Sequence, residues 1–577
     1  MSERKFGVVG EGPAVAAVEA GLSDADGVVS ECRATELGDV AFGVVVGRVG
    51  DDAFARANRS ADGTPWLAVE LGGVGGRALS GVDAAVSGFG TGTACYDCLR
   101  ARVAANADDA SADDEGGTAS VDGTTARFAG ALAGREAATL LSGGESAVLG
   151  GVMEVPHAER TVLPVPGCDA CGDARDRTLS VDHAPATLDE SVARAEKSMD
   201  GRVGIVQSLG EVASFPVPYY LAENADTTGF SDVRAAGKAA GVAADWDRAL
   251  MKALGEALER YCAGVYDASE FGVAPAAALD DAVDPRAFVR PDDYGDAGDA
   301  ELPWVSGRDL ASGTLVHLPA EFVHFPPPAS RFKPPITTGL GLGNSSVEAL
   351  LSGLYEVIER DATMLSWYST FDPLGLAVDD EGFRTLAKRA RAEDLSVTPL
   401  LVTQDVDVPV VAVAIHRDGD WPRFAVGSGA DLDPDAAARS ALAEALQNWL
   451  ELEMMGREEA ADAEGAIARY ADFPEAAREF VTPGTTVPGD SVGPDDVPDG
   501  EAELDAVVDR ANDAFDVYAA RLTTRDVARL GFEAVRVLAP AAQPLFTGDP
   551  FFGDRARSVP TALGFEPRLE RELHPYP

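Results

Sequence analysis

The sequence predicts a larger α+β domain, in which β-sheets pack against three motif helices, preceded by a smaller α/β domain that carries a zinc tetrathiolate. Three observations support this prediction. Short valine-rich runs alternate with helical segments at the start of the chain, two Cys-x-x-Cys pairs follow, and three later helices each carry a polar stripe at the same spacing. A chain of 577 residues is long enough to bury the cores of two or three domains.

The first hundred residues alternate between strand-like and helix-like segments, which is typical of an α/β domain. The predicted elements are a strand at Phe6–Val9, a helix at Pro13–Ala20, and strands at Ala41–Val46 and Trp66–Leu71. Gly10 and Gly12 lie between the first strand and the helix, where a dinucleotide-binding fold places its glycines. No third glycine follows at the expected place, so this is a weak signal for a nucleotide.

Two Cys-x-x-Cys pairs contain four of the six cysteines: Cys95 with Cys98, and Cys168 with Cys171. Two such pairs that meet in space form a tetrathiolate Zn²⁺ site. Their separation is longer than in a compact zinc ribbon, but the acidic, low-complexity residues 108–125 between them are typical of a loop. A redox dithiol is the alternative. Because such a motif rarely occurs twice in one chain, we expect a structural zinc ion.

Three later segments share one spacing of polar residues. The stripes are Lys252, Glu256 and Glu259; Ser352, Glu356 and Glu359; and Ser440, Glu444 and Gln447. On an α-helix, offsets of four and then three residues place all three side chains on one face, and the opposite face is apolar each time. A solvated face is the alternative, but such a face usually alternates Glu with Lys or Arg. The stripes therefore predict a shared site for hard cations, with Mg²⁺ carried by a nucleotide as the natural ligand.

Valine- and leucine-rich runs follow and separate the motif segments. They lie at Leu400–Val402, Val410–Ile415 and Ala534–Leu538. Runs of this length and composition are typical of buried strands. We therefore expect sheets that pack against the motif helices, which makes the second domain α+β.

The chain is strongly acidic, with 96 acidic and 47 basic residues and a net charge of −49. Acidic excess with only six lysines is typical of a halophile's cytoplasm, where salt screens the repulsion between carboxylates. Nucleic acid is excluded as a partner, because phosphate binding requires clustered Lys and Arg. No apolar run reaches the roughly 18 residues of a membrane span and no signal peptide is present, so we expect a cytoplasmic protein with no membrane partner.

Three of the six lysines, Lys238, Lys252 and Lys333, lie beside the motif segments. In a chain that otherwise avoids lysine, a retained lysine indicates contact with phosphate groups. Packing of the aliphatic lysine stems is the alternative.

The residues around the stripes form blocks in a fixed order. The blocks are Gly255-Glu-Ala-Leu-Glu-Arg-Tyr261, Gly339-Leu-Gly-Leu-Gly-Asn344 with Leu354-Tyr-Glu-Val-Ile-Glu-Arg-Asp361, and Ala443-Glu-Ala-Leu-Gln447. In order and spacing they resemble the YcaO family over residues 190–577. The resemblance implies an enzyme that uses ATP to phosphorylate a backbone amide oxygen. Most members cyclodehydrate Cys, Ser or Thr of ribosomal peptides, including bacteriocins, to thiazolines and oxazolines; others form thioamides or amidines.

The resemblance implies contacts to ATP and Mg²⁺ along all three stripes. The implied residues are Lys238, Glu256, Glu259, Asn344, Ser352, Glu356, Glu359, Arg360, Ser440, Glu444 and Gln447. Lys252 stands where many members have Ser, which leaves its role open. For Arg360, an ion pair with a neighbouring Glu is the alternative to phosphate contact. The glycine run before Asn344 lacks Gly-Lys-[Ser/Thr], so it is not a P-loop.

The α/β segment with its two Cys-x-x-Cys pairs resembles the ThiF-like domains that are fused to azoline-forming cyclodehydratases. Those domains help to present the leader peptide of the substrate. We therefore expect a ThiF-like domain with zinc knuckles at residues 1–185 and a YcaO catalytic domain at residues 190–577.

The chain ends in Leu573-His-Pro-Tyr-Pro577, which is similar to the Pro-x-Pro-x-Pro tail of cyclodehydrating YcaO proteins, with Leu573 at the first proline position. A proline-spaced tail is stiff and can hold a terminal carboxylate in place. We expect the Pro577 carboxylate to act as the general base for the attacking side chain. A disordered tail is the alternative, and the role of His574 stays open.

Two alternative functions remain. A thioamide-forming enzyme would use the same ATP site with an external sulfur source, and a non-catalytic scaffold would bind peptide without turnover. The expected substrate is a ribosomally made precursor peptide or protein, whose identity the sequence does not reveal. A homodimer, a sulfur-delivery partner and a dehydrogenase partner all remain open.

Overall fold

The computed structural model describes residues 4–23, 27–107, 121–292, 294–295, 300–462 and 466–577. These residues form two compact units. The first comprises Met1–Arg175, Glu196–Ser208 and Asn224–Arg234, and the second comprises Asp176–Ala195, Leu209–Glu223 and Ala235–Pro577. The domain boundary at residues 185–190 stays a prediction. Most of the acidic stretch predicted as a loop, residues 108–120, lies outside the described residues.

The first unit is built on a seven-stranded sheet. The strands of this unit are β1 (Lys5–Val9), β2 (Val28–Glu31), β3 (Phe42–Arg48), β4 (Trp66–Leu71), β5 (Gly73–Val74), β6 (Arg77–Ala78), β7 (Ala84–Phe89), β8 (Gly151–Val155) and β9 (Ala158–Thr161), and β5 and β6 form a separate two-stranded sheet. Its helices are α1 (Pro13–Leu22), α2 (Asp52–Ser60), α3 (Tyr96–Ala105) and α4 (Gly123–Leu141). The strand order is β2-β1-β3-β4-β7-β8-β9, with β2, β1, β3 and β4 parallel and the rest antiparallel.

Both faces of this sheet are covered by helices. Successive residues of a strand point to opposite faces, so Val44 packs in one core with Val18 of α1, and Val45 packs in another with Phe54 of α2. Parallel strands require this double cover, because both of their faces are apolar. The predicted α/β character of this unit follows from that pattern, and the strand predicted at Trp66–Leu71 coincides with β4.

The second unit contains the other helices and strands, apart from short parts of β10 and β11. Its helices are α5 (Leu188–Ala195), α6 (Trp246–Gly264), α7 (Ala320–Val323), α8 (Ser346–Trp367), α9 (Glu381–Ala392), α10 (Pro434–Asp462), α11 (Ala466–Tyr470), α12 (Glu475–Phe480), α13 (Gly500–Asn512), α14 (Arg525–Leu530) and α15 (Arg555–Leu563). Its strands are β10 (Val206–Ala213), β11 (Tyr219–Asn224), β12 (Lys238–Val242), β13 (Gly272–Ala274), β14 (Leu302–Asp309), β15 (Leu315–Pro319), β16 (Leu340–Gly343), β17 (Leu374–Ala377), β18 (Ser396–Leu401), β19 (Val410–His416), β20 (Phe424–Ala430), β21 (Thr486–Pro488), β22 (Tyr518–Arg521) and β23 (Glu533–Leu538).

These strands form three sheets, with orders β10-β11-β12, β13-β14-β22-β23-β16 and β20-β19-β18-β17-β21, and β15 pairs with β14. The runs predicted as strands at Val410–Ile415 and Ala534–Leu538 are β19 and β23. The run at Leu400–Val402 overlaps the end of β18, which begins earlier, at Ser396, and ends at Leu401. Among the described residues, no helix is long and apolar enough to cross a membrane.

Each motif helix follows a strand of a different sheet: α6 follows β12, α8 follows β16 and α10 follows β20. Side-chain caps begin the first two helices, because Asp245 accepts from the Arg248 N–H and Ser345 from the Glu348 N–H. The apolar face opposite each stripe is buried. These buried residues are Leu254, Leu258, Leu354, Ile358, Leu442 and Leu446.

Glycines in the strands allow the motif helices to approach closely. A Cβ atom at Gly241, Gly341 or Gly429 would lie 2.2, 2.1 or 2.7 Å from a carbonyl oxygen of the following helix. Such distances are shorter than any contact a side chain accepts, so only glycine permits this packing. This close approach places the first turns of each motif helix next to the backbone of the preceding strand.

Candidate functional site

The central glutamate of each stripe is fixed by the backbone that precedes its helix. Glu256 accepts a hydrogen bond from the Ala240 N–H at 2.9 Å, Glu356 from the Gly339 N–H at 3.0 Å, and Glu444 from the Ser428 N–H at 2.6 Å. A hydrogen bond to a carboxylate is stronger than one between neutral groups, so it holds the side chain in one orientation. The three strand–helix pairs therefore present three carboxylates in the same way.

Two further glutamates bring these carboxylates into one group. Burial raises the pKa of Glu259 to about 8, against the effect of Arg260 and with added contributions from Glu356 and Glu256. Burial likewise raises the pKa of Glu359 to about 7, against the effect of Arg360 and with a contribution from Glu444. Carboxylates raise one another's pKa only at short range. We call Glu256, Glu259, Glu356, Glu359 and Glu444 the carboxylate cluster.

Two arginines lie within the cluster. Arg360 is 3.4 Å from Glu359, 3.8 Å from Glu444 and 3.9 Å from Glu356. Arg260 is 3.0 Å from Glu256 and 3.8 Å from Glu259. The donor set of several carboxylate oxygens is the one that hard divalent cations such as Mg²⁺ require, so the residues fit such an ion.

The third stripe differs from the first two in its last residue. Gln447 donates from Nε2 to Glu451 at 2.9 Å, and Glu451 also accepts from the Tyr219 hydroxyl at 3.0 Å. Ser428 donates from Oγ to Glu359 at 2.6 Å. Glu451, Tyr219 and Ser428 were not among the residues expected from the sequence. Ser428 joins the third strand to the second helix, which a spacing pattern within one helix cannot reveal.

A cleft of roughly 690 Å³ opens beside the cluster. Its polar lining includes Glu256, Glu259, Lys252, Asn344 and Ser352. This volume is within the range of small-molecule and cofactor sites. The cleft therefore joins the first two stripes to the glycine run that precedes α8.

Asn344 is held in place at the edge of this cleft. Its side chain accepts from the Ser191 hydroxyl at 2.9 Å and donates to Glu348 at 2.9 Å. Desolvation lowers the pKa of Lys252, and Glu444 opposes that change. Lys252 therefore lies close enough to the cluster to feel its charge.

Two residues expected to contact the nucleotide, Lys238 and Ser440, are not part of the lining of the cleft. Lys238 is exposed at the first position of β12, two residues before Ala240, which lines the cleft. Ser440 is exposed on α10, one turn before Glu444. Their contacts to a nucleotide stay predictions.

The end of the chain is buried rather than free. Trp367 Nε1 donates to the Glu572 carbonyl at 3.0 Å, the Tyr470 hydroxyl donates to the Leu573 carbonyl at 2.5 Å, and His574 Nε2 lies 2.7 Å from the Phe546 carbonyl. Tyr576 is fully buried and interacts electrostatically with Glu359 and Arg360. The tail therefore runs to the edge of the carboxylate cluster.

The two Cys-x-x-Cys pairs meet in the first unit. The sulfur atoms of Cys95, Cys98, Cys168 and Cys171 all lie within 4.8 Å of one another. The Cys95–Cys168 and Cys98–Cys171 distances are 3.6 and 3.4 Å, and Cys98 also accepts from the Val165 N–H at 3.3 Å. Zn–S bonds of about 2.3 Å in a tetrahedron separate the sulfur atoms by about 3.8 Å. The four cysteines fit a zinc ion.

Comparisons with known sequences identify a matching family and relatives of this chain. A family model described as YcaO cyclodehydratase, ATP- and Mg²⁺-binding, matches residues 240–543. An uncharacterized protein of Methanothermobacter thermautotrophicus is 31% identical over 338 residues, which are 55% of this chain and 85% of that protein. A Rhizobium leguminosarum bv. trifolii protein, described as an uncharacterized protein in the tfuA 3' region, is 29% identical over 274 residues, or 43% of this chain; the match spans 61% of that relative's length.

Two solved structures share the fold of almost the whole chain. A heterocyclase in complex with substrate and cofactor matches with a TM-score of 0.74 at 21% identity, over 97% of this chain and 83% of that one. The heterocyclase TruD matches with a TM-score of 0.69 at 20% identity, over 97% of this chain and 82% of that one. These matches confirm the predicted fold class.

Proposed function

We propose, from the premise that this chain belongs to the YcaO family, that it uses ATP to phosphorylate a backbone amide of a peptide and so cyclodehydrates Cys, Ser or Thr to a thiazoline or oxazoline. The observation that carries the proposal is the convergence of five glutamates from three helices beside one cleft. Such a cluster is costly to bury unless cations compensate it. The Mg²⁺ ions that accompany a triphosphate would supply that compensation.

The carboxylate cluster would hold the cations, and Gln447 would complete the third stripe. Bound Mg²⁺ would draw charge from the phosphate oxygens. Arg360 lies among three of the carboxylates, so it can turn from them to a phosphoryl group. Asn344 and Ser352 line the cleft and would contact the nucleotide, as would Lys238, two residues before the cleft residue Ala240, and Ser440, one turn before Glu444.

The Pro577 carboxylate would start the reaction by taking the proton from the Cys, Ser or Thr side chain as that side chain attacks the preceding amide carbon. The former carbonyl oxygen then takes the γ-phosphoryl group as the bond to ADP breaks. Phosphate leaves with that oxygen, the amide nitrogen gives up its proton, and a C=N double bond forms within the ring that the attack closed. The products are azoline, ADP and phosphate. The buried tail supports this role, because it fixes Tyr576 next to Glu359 and Arg360.

The proposed reaction is tested by the mass of the peptide product. A pool of synthetic peptides containing Cys, Ser and Thr is incubated with the protein and Mg²⁺–ATP, with and without sulfide. We expect peptides that are lighter by one water, with one ADP formed for each ring. Exchange of oxygen for sulfur would favour thioamidation instead, and ADP formation without any change in peptide mass would contradict both reactions. Unchanged peptides together with unchanged ATP would favour a peptide-binding scaffold.

The four cysteines would hold a structural Zn²⁺ that stabilises the first unit, which we propose to present the leader of the precursor peptide. Replacement of Cys98 by Ser is expected to remove the zinc and lower the melting temperature, because the three remaining thiolates form an incomplete site. Metal analysis and thermal unfolding measure both effects. Cys32→Ser is the matched control, since Cys32 is half-buried and outside the cluster. Full zinc content in the Cys98 variant would contradict the assignment.

A further inference from the structure

A second, smaller cavity lies behind the carboxylate cluster. It has a volume of about 40 Å³, and its polar lining includes the side chains of Lys333, Arg360 and Arg536. The remaining wall is largely apolar and includes Phe288, Val357 and Pro540. One water needs about 10–15 Å³, so the cavity accepts a group of a few heavy atoms and not a nucleotide. No carboxylate is part of its lining.

Lys333 brings an amine without an ion-pair partner among the described residues to this cavity. Among the described residues, Lys333 forms no ion pair, and its amine lies 5.4 Å from the centre of the Phe322 ring and 6.0 Å from that of Phe288. The nearest acidic influence is Glu321, whose Oε1 accepts from the backbone N–H groups of Arg331 and Phe332 at 2.7 Å each. Burial lowers the pKa of Lys333 to about 7, with Arg536 adding to that change.

The two arginines also keep free donors. Arg536 is 2% exposed and is held by hydrogen bonds from its Nη atoms to the carbonyls of Thr337 and Ile336, both at 2.8 Å. Its Nε is buried without a hydrogen-bond partner in the described part of the chain, and the same is true of Arg360 Nη1, which makes only the 3.4 Å ion pair with Glu359. A buried N–H group left without a partner costs about 1–3 kcal/mol, which indicates an absent acceptor.

The cavity lies close to the carboxylate cluster, because Arg360 lines the cavity and is 3.4 to 3.9 Å from three glutamates of the cluster. Arg536 interacts electrostatically with Glu356 and Glu259. Thr338 lines the cavity, and the next residue, Gly339, donates to Glu356. A group held by cations at the cluster would therefore lie close to Arg360.

We propose that the cavity formed by Lys333, Arg360 and Arg536 is an anion subsite that receives the phosphate group after its transfer from ATP. The inference rests on the proposed function, which makes phosphate the leaving group. Two guanidinium groups and the Lys333 amine, which a bound dianion would hold protonated, match a small dianion in an apolar wall, and free guanidinium N–H groups supply directed hydrogen bonds to its oxygens. Metal cations are excluded by the same charges, and a peptide segment is excluded by the volume.

Calorimetric titration of inorganic phosphate into the protein saturated with Mg²⁺–ADP tests the subsite, with potassium glutamate replacing chloride so that no small anion competes. We expect saturable binding by the wild type. Lys333→Met should weaken that binding at least tenfold and leave the affinity for Mg²⁺–ADP within about twofold, because Lys333 does not line the nucleotide cleft. Arg536→Gln should have the same effect; should that variant fail to fold, Lys333→Met decides the matter alone.

Lys388→Met is the matched control, because Lys388 is exposed on α9 and should bind phosphate as the wild type does. Equal phosphate affinity in Lys333→Met and the wild type would overturn the subsite. Binding of Mg²⁺–ADP without any phosphate binding would also overturn it while leaving the proposed function intact. Absence of Mg²⁺–ADP binding by the folded wild type would overturn both.

Discussion

Replacing Glu356 by Gln is expected to weaken Mg²⁺–ATP binding by more than about 100-fold, which is the upper end of the loss seen when only a supporting residue of a metal site is changed. Glu356 belongs to the middle stripe, and its neighbours Glu259, Glu359 and Glu444 all interact with it. Gln keeps the volume and can still accept from the Gly339 N–H, so the fold should be retained. The variant therefore removes one metal-binding charge and little else.

The affinities are measured by calorimetry in molar KCl, because a chain with a net charge of −49 needs its repulsion screened. Glu381→Gln provides the control, since it makes the same change of charge at an exposed position at the start of α9. Wild-type affinity in the Glu356 variant would show that the stripes do not form the nucleotide site.

Deleting Pro577 is expected to lower the rate of ring formation by about 10²–10⁴-fold, the usual contribution of a general base. Mg²⁺–ATP affinity should stay within about twofold, because no residue of the tail lines the nucleotide cleft. The effect on rate without an effect on nucleotide binding separates a catalytic role of the carboxylate from a structural role of the tail. Single-turnover kinetics with a substrate peptide measure the rate.

Pro577→Ala is the matched control for this deletion. It keeps a carboxylate at the same position and leaves the buried Tyr576 in place, so we expect at most a modest loss of rate. A rate in the deletion variant equal to that of the wild type would exclude the carboxylate as the base. An equal loss in both variants would assign the effect to the proline ring.

The strands and helices were predictable where one physical signal dominated. The buried run at Trp66–Leu71 matches β4 at both ends, since both faces of that strand are covered. The run at Leu400–Val402 located only the end of β18, because Thr398 and Ser396 are half-buried or exposed and carry no apolar signal. Sheet membership was not predictable, as β16 pairs with β23 almost 200 residues later.

The candidate site was predictable within each helix and not between helices. Helical spacing placed Glu256 and Glu259 on one face, but the backbone donors at Ala240, Gly339 and Ser428 depend on how each strand packs on its helix. A signal for this packing does exist in the sequence: Gly241, Gly341 and Gly429 each precede the central glutamate by fifteen residues. That repeated spacing marks three equivalent strand–helix pairs.

The features that the sequence did not predict depend on contacts between segments that lie far apart in the chain. Cys95 and Cys168 lie 73 residues apart in the chain. Only the Cys-x-x-Cys spacing around each of them indicated a shared metal site. Lys333 stood out as a rare lysine, whereas Arg536 is one of many arginines and lies in a strand, where a buried charge is not expected. Their shared cavity depends on the fold and has no sequence pattern of its own.

The central claim is that the three stripes form one site for a nucleotide and its cations. The most direct test is calorimetric titration of the wild-type protein with ATP in the presence and absence of Mg²⁺. We expect saturable binding of one ATP per chain with Mg²⁺ and none without it, because five carboxylates repel the bare triphosphate. Equally tight binding without Mg²⁺, or no binding by the folded protein under either condition, would contradict the account.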